Sequence, residues 1–333
     1  MKTTIFATLG LLVLAQPALA QDCKQLAIVT SVDLATTDDH NAVFAKLNLD
    51  GHDEYFLIDT GANLSTITKD TADELGLDRE PVNVALIDVN GRESHEAGRV
   101  KSLTIGNLHA SNVDFIIMRD NPFGEGNKSV AGLLGADFLS NYDLEIDYGA
   151  NKLTLLSPDH CPGKVIYWPA TAVAAIPINV TNKGDVELQV TLDGKPVSAK
   201  LDTGASNTTL SRGFAQTNYG ITETSPGVKV IGELNNAHGA AILSTHFKML
   251  TFGDDSTGSI SLGNPQVDLI ADYQGNSDVQ GLQHTGTRLK PKSEAVKLPD
   301  MLLGMNVLKH LHIYIAYGEG KLYVTPASAP EKK

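Results

Sequence analysis

The 333-residue chain is short of several things, and each shortage narrows what it can be. Two cysteines, Cys23 and Cys161, are too few for a thiolate metal cage or a small disulfide-built scaffold. Basic residues are outnumbered, 26 Lys and Arg against 39 Asp and Glu, for a formal charge of −13. A phosphate-binding face needs a surplus of cations, so nucleic acid is not an expected partner. After residue 20 no apolar run approaches the roughly 20 residues that cross a bilayer, so no membrane span is expected. The stretch Gly124-Glu125-Gly126-Asn127-Lys128-Ser129 lacks the spacing of a phosphate loop, and no Gly-x-Ser-x-Gly elbow occurs. His310 and His312 have no third ligand at metal spacing and read as a pair of edge histidines. The pattern asks for neither a metal nor a cofactor. With 42% hydrophobic and 20% charged residues the composition is that of a globular protein, long enough for two domains.

Residues 1–20 stand apart. Lys2 supplies a positive start, Ile5 to Val13 an apolar core, and Ala18-Leu19-Ala20 a small-residue cleavage site before Gln21. This is the pattern of a cleaved signal peptide, bacterial in its compactness, and the expected location is periplasmic or secreted. Asp22 precedes Cys23, so the small residue that a lipoprotein needs there is missing. In an oxidising compartment Cys23 and Cys161 are expected to form a disulfide, worth at most about 5 kcal/mol by the loop it closes. The alternative, a nucleophilic Cys161, is disfavoured because Pro162 follows it and no helix start or paired His is evident to lower its pKa.

The chain repeats itself. Leu49-Asp50-Gly51 and Phe56-Leu57-Ile58-Asp59-Thr60-Gly61-Ala62 return 143 residues later as Leu192-Asp193-Gly194 and Ala199-Lys200-Leu201-Asp202-Thr203-Gly204-Ala205. Ile67-Thr68 matches Leu210-Ser211 at the same spacing. Further on, at an offset of 169, Leu133-Leu134-Gly135 aligns with Leu302-Leu303-Gly304, and Ile146, Tyr148 and Gly149 with Ile315, Tyr317 and Gly318. Each Asp-Gly between apolar stretches is a hairpin signal. Short β-branched runs and turn residues dominate both copies, with a brief helix expected after each Leu-Leu-Gly. The reading is all-β: a lobe over 21–157, a Pro- and Gly-rich connector over 158–171, a second lobe over 172–327 and a polar tail over 328–333. The larger offset of the second block places an insertion in the second copy, at about 272–300, polar and partly basic. Such a long loop is functional or disordered.

Asp59 and Asp202 are the same residue of the two copies. Pseudo-twofold symmetry brings equivalent residues face to face. Two carboxylates meeting there cannot both ionise cheaply, so one holds a proton while the other is charged, and the pair can activate a water between them. Gly61 and Gly204 remove Cβ where the backbone must approach the carboxylates. Thr60 and Thr203 hydroxyls can cross the axis to the opposite lobe's backbone, and the Leu-Leu-Gly blocks pack behind. The bland alternative is a pair of loop aspartates bonding their own turns.

On these motifs the sequence resembles an aspartic protease of the retropepsin type, with two lobes in one chain. Gly132-Leu133-Leu134-Gly135-Ala136-Asp137-Phe138-Leu139, followed by Tyr142-Asp143-Leu144-Glu145-Ile146-Asp147, is similar to bacterial retropepsin-like domains, and the first lobe fits better than the second. The resemblance implies two β lobes around a peptide cleft, flap hairpins over it, and endopeptidase activity on a peptide or protein substrate by Asp59 and Asp202. Both aspartates lie in one chain, so a monomer is expected. Candidate flap tips are Asn90-Gly91, between strands at 84–89 and 100–105, and Asn235-Asn236 within 228–243. Neither carries the tyrosine of pepsin-like flaps. Ala62 and Ala205 stand where pepsin-like enzymes commonly have Ser or Thr, so an optimum at weakly acidic or neutral pH is expected. Only five residues separate Ala20 from the first strand-like run, so no N-terminal prosegment is expected. The basic insertion reads as a solvated loop or as a segment lying across an acidic cleft. The rival to an enzyme is a catalytically silent or partner-dependent peptide-binding protein of the same fold, motivated by the looser second lobe.

Overall fold

The computed structural model describes residues 23–87, 93–118, 130–233, 240–272 and 299–327. In the first lobe β1 (Ile28–Thr36), β2 (Val43–Leu49), β3 (His52–Ile58) and β4 (Thr66–Thr68) precede helix α1 (Lys69–Glu74). Then come β5 (Asp78–Ile87), β6 (Glu93–Ile105), β7 (Leu108–Met118), β8 (Val130–Leu134), α2 (Ala136–Leu139), β9 (Asp143–Asp147) and β10 (Lys152–Leu156). The second lobe opens with β11 (Ala174–Val180), β12 (Val186–Leu192), β13 (Lys195–Leu201), β14 (Thr209–Ser211) and α3 (Arg212–Tyr219). It continues through β15 (Lys229–Glu233), β16 (Ala241–His246), β17 (Met249–Asp254), β18 (Gly258–Gly263) and β19 (Gln266–Ile270). It closes with β20 (Met301–Leu303), α4 (Met305–Leu308), β21 (Leu311–Ala316) and β22 (Lys321–Pro326). The fold is nearly all-β, in two homologous lobes.

The repeated sequence produces repeated local structure. In β2 the alternate residues Val43, Ala45, Leu47 and Leu49 are buried, and in β12 Val186, Leu188, Val190 and Leu192 follow the same pattern. Both Asp-Gly turns have two consecutive positive φ values, 51° and 94° at Asp50-Gly51 and 46° and 80° at Asp193-Gly194. That geometry matches the twist of a two-residue hairpin, and it is where Asp and Gly are tolerated best. The matched Thr68 and Ser211 are the N-caps of α1 and α3, accepting from the N–H of Thr71 and Phe214. The expected brief helix follows each Leu-Leu-Gly, as α2 and α4.

A six-stranded antiparallel sheet joins the lobes in the order β1, β10, β9, β21, β22, β11. Three strands come from each lobe, and the seam is the pairing of β9 with β21. Glu145 lies opposite Tyr314, its own equivalent in the repeat, so the pseudo-twofold passes through that pair. One face of the sheet carries Leu144, Ile146, Ile313 and Ile315 into an apolar core that runs through both lobes. The other face carries Asp143, Glu145, His312 and Tyr314, and the connector covers it. His312 is therefore no edge histidine: it is buried in a central strand, stacked on Trp168 and 2.9 Å from Glu145. His160 of the connector bonds Asp143 at 2.6 Å in the same buried layer. Cys23 and Cys161 form the expected disulfide, Cα atoms 4.8 Å apart, tying the start of the first lobe to the connector.

Candidate functional site

In each lobe the Asp-Thr-Gly loop is held by a parallel strand pair. Ile58 of β3 lies beside Leu134 of β8, and Leu201 of β13 beside Leu303 of β20. The next backbone N–H, of Asp59 or Asp202, donates to the carbonyl of Leu134 or Leu303, at 3.0 Å in both lobes. The chain then crosses itself: Ala136 N–H donates to Ala62 and Met305 N–H to Ala205, each at 2.8 Å. A Cβ at Gly135 or Gly304 would press into the backbone of Leu64 or Asn207, which explains the glycine that ends each Leu-Leu-Gly.

The two aspartates come together. Asp59 Oδ1 accepts from the N–H groups of Gly61 and Ala62 at 2.9 and 3.0 Å, and Asp202 Oδ1 from those of Gly204 and Ala205 at the same distances. These are the turn bonds of the bland reading. That reading does not supply what lies beyond them: each carboxyl packs against the opposite lobe's glycine, Asp202 on Gly61 and Asp59 on Gly204, which brings the two together across the lobes. The glycines make the approach possible. A Cβ on Gly61 would overlap the Asp202 carboxyl, and one on Gly204 the Asp59 carboxyl, so each glycine makes room for the opposite lobe's aspartate.

Behind the aspartates the threonines interlock. Thr60 Oγ1 donates to the Leu201 carbonyl at 3.1 Å and accepts from Thr203 N–H at 3.2 Å. Thr203 Oγ1 donates to the Ile58 carbonyl at 2.6 Å and accepts from Thr60 N–H at 3.1 Å. Both threonines are sealed from solvent, at 1% and 0% exposure, whereas the aspartates keep a partial opening. The four reciprocal bonds fix the relative position of two side chains 143 residues apart.

Burial and the nearby Asp202 carboxyl push the Asp59 pKa up to about 7, against the N–H donors of Gly61 and Ala62. Asp202 is also raised by burial, with the positive charge of Lys200 the leading influence in the opposite direction. Lys200 was not among the residues expected from sequence. Its Nζ lies 2.5 Å from Asp185 and donates to the Gly61 carbonyl at 2.8 Å, while Asn63 Nδ2 donates to Asp185 at 3.2 Å. The signal was present in the repeat: at the equivalent places the first lobe has Leu57 and Ala42.

The expected flap tips, Asn90-Gly91 and Asn235-Asn236, lie outside the described residues. Their arms are hairpins, β5 with β6 and β15 with β16. The return arm of the first begins at Glu93 rather than near residue 100, because β6 is one long strand. Most of the 272–300 insertion, residues 273–298, also lies outside the described residues. Its two ends are anchored: Asp272 accepts from Gly213 N–H at 3.1 Å, and Ser198 Oγ donates to Asp300 at 2.9 Å.

Comparison with known proteins bears on the family and the fold. Residues 45–141 match the family model described as "gag-polyprotein putative aspartyl protease", and residues 188–307 the model described as "Aspartyl protease". The chain belongs to the aspartyl protease family, as two retropepsin-like domains in tandem. Among solved structures it is similar to basic 7S globulin from soybean, at a TM-score of 0.50 and 10% identity, over 92% of this chain and 96% of that one. At that identity the likeness speaks for the two-lobed fold. No curated protein matches the sequence.

Proposed function

We propose that the chain is an aspartic endopeptidase that hydrolyses peptide bonds with a water activated between Asp59 and Asp202. The observation that carries this reading is the meeting of two half-buried carboxyls, one from each lobe, each packed where the opposite lobe's glycine lacks a Cβ. Such a pair carries one proton over a range of pH. The ionised member takes a proton from the water as its oxygen bonds to the peptide carbonyl carbon, and the neutral member gives its proton to the carbonyl oxygen. A proton then passes to the amide nitrogen, the C–N bond breaks, and the pair returns to its singly protonated form. One chain supplies both aspartates and works as a monomer. The exposed Val230 and Ile231, on the β15 arm of the second expected flap, are read as apolar surface for a peptide. The leader-like residues 1–20 and the Cys23–Cys161 disulfide favour work outside the cytoplasm.

The test is cleavage of a peptide library by purified residues 21–333 across about pH 3 to 7, beside Asp59→Asn and Asp202→Asn. Each substitution is expected to lower kcat/KM by at least about 1,000-fold, and pepstatin-type inhibitors to block the unsubstituted chain. Activity that survives either change would overturn the reading. A folded chain that binds peptides without cutting them would move it to a peptide-binding protein. With Asp59 raised to about 7, the optimum is expected at weakly acidic to neutral pH; a profile peaking below about pH 3 would contradict this.

A further inference from the structure

We propose that Lys200 is a positioning residue that polarises the aspartate pair, keeping the negative charge on Asp202 and the shared proton on Asp59, with Asp185 setting the strength of that bias. This rests on the reading that the two aspartates act as one pair, and adds which of them plays which part.

The argument starts from where the repeat breaks. At the Asp-Thr-Gly loops the backbone bonds to the carboxyls and the threonine bonds are duplicated in the two lobes, and the cation beside them is not. There the second lobe has Lys200 and Asp185 where the first has Leu57 and Ala42. Lys200 lies in β13 two residues before Asp202, which follows the end of that strand, so the extended chain turns both toward the same side. Its side chain is 23% exposed, and its Nζ donates to the carbonyl of Gly61 at 2.8 Å. Gly61 packs against the Asp202 carboxyl while its own N–H and that of Ala62 bond Asp59. The carbonyl that takes Nζ therefore brings the cation to where the two carboxyls meet, and the strand that carries it leads directly into Asp202. Among the described residues no cation stands in the equivalent place beside Asp59, where the chain has Leu57.

The other charged groups around the pair are engaged elsewhere or belong to the same cluster. Asp185, on the turn between β11 and β12, holds Lys200 at 2.5 Å and is held in turn by Asn63 of the first lobe's loop. Lys183 of that turn contributes its carbonyl to Asn63. Asp137 of α2 accepts from Ser65, Asp300 before β20 accepts from Ser198, and Lys309 after α4 donates to the Asp39 carbonyl. The turn itself is seated on the first lobe: a Cβ at Gly184 would overlap Ala136. Lys200 is thus fixed from both lobes. A cation held beside one of two carboxylates stabilises the charge there and leaves the proton on the other. In the hydrolysis above, Asp202 then takes the proton from water and Asp59 gives one to the carbonyl oxygen.

Carboxyl carbon-13 NMR of the full chain, labelled at aspartate, tests this without requiring turnover. The two resonances are assigned by their loss in Asp59→Asn and Asp202→Asn. Asp202 is expected to ionise at the lower pH. Lys200→Met should raise its midpoint by about one pH unit and narrow the gap to Asp59, Lys200→Arg should leave the gap, and Asp185→Asn should lower the midpoint. The opposite signs of the Lys200→Met and Asp185→Asn shifts separate a charge effect from a bracing effect, which would move neither midpoint. Should Lys200→Met fail to fold, the order of ionisation in the unsubstituted chain and the Asp185→Asn shift still decide. Asp202 ionising last, or midpoints unmoved in the variants, would overturn the proposal. A chain that fails to cleave peptides yet shows the split would end the endopeptidase reading alone. One that cleaves while Asp202 ionises last would end only the assignment made here.

Discussion

Beyond the Asp-Thr-Gly loop, the first lobe runs through two long strands, β6 of 13 residues and β7 of 11. The second lobe covers the same path with four strands of five or six residues, β16 to β19. The break falls at Phe247-Lys248 and Asn264-Pro265, where Pro265 has no N–H to continue a ladder and Asn264 takes a positive φ of 55°. Close to the pair of aspartates the lobes agree instead, with matching bonds of 2.8, 2.9 and 3.0 Å. Strand length at the periphery is set by each lobe's own turns and is free to drift. The inner geometry is set by contact with the other lobe, and there a change on one side must be met on the other.

The largest expected effect tests the agreement at its tightest point. Gly61→Ala and Gly204→Ala should each remove any peptidase activity, by at least about 1,000-fold, because the new methyl occupies the space of the opposite carboxyl. Matching kcat/KM losses would sharpen the symmetry, and tolerance at one glycine alone would break it.

Next comes a pH-dependent gain in stability. The folded pKa of Asp59, raised to about 7, lies above its ordinary 3.8, so between these values the folded state binds more protons than the unfolded one. Stability is therefore lost as pH rises through that window. Asn cannot ionise, so the Tm of Asp59→Asn should equal that of the parent near pH 4 and exceed it increasingly up to pH 7.5. The limit is about 4 kcal/mol at roughly 1.4 kcal/mol per pH unit. Asp202→Asn should gain less, because Lys200 already compensates the charge there. Equal gains would remove that distinction between the lobes.

The smallest expected effect concerns the threonines. Thr60→Val and Thr203→Val each leave a buried carbonyl and a buried N–H without a partner, at a cost of about 1–3 kcal/mol. Urea unfolding of the two single variants and the double variant should show strong coupling, since all four bonds join the same two residues. Additive losses would mean that the two threonines do not act as one clasp.

Much of this was legible in the sequence because it was written twice. The aspartates, the threonines, the glycines and the hairpin turns each appear at a fixed offset, and local chemistry explains each. The seam of β9 and β21 was not legible, since no local pattern says which strand edge meets which. For the same reason His312 was misplaced. Polar residues alternating along a strand imply a solvated face, yet here the connector brings Tyr167 and Trp168 over that face and buries it. Lys200 escaped for a related reason: a lysine at an alternate strand position reads as solvent-facing unless the turn carrying Asp185 is known to close over it.

The seam also bears on why these lobes live as an unequal couple. Were the first lobe to pair with a copy of itself along β9, Glu145 would stand opposite another Glu145, and like charges directly opposed destabilise a ladder. The neighbouring place now held by His312 would hold Asp143, so Glu145 would exchange an imidazole partner for a second carboxylate. The second lobe answers the first with Tyr314 and His312. That complementarity is a molecular preference for the dissimilar partner, and it makes a symmetrical union of first lobes the poorer match.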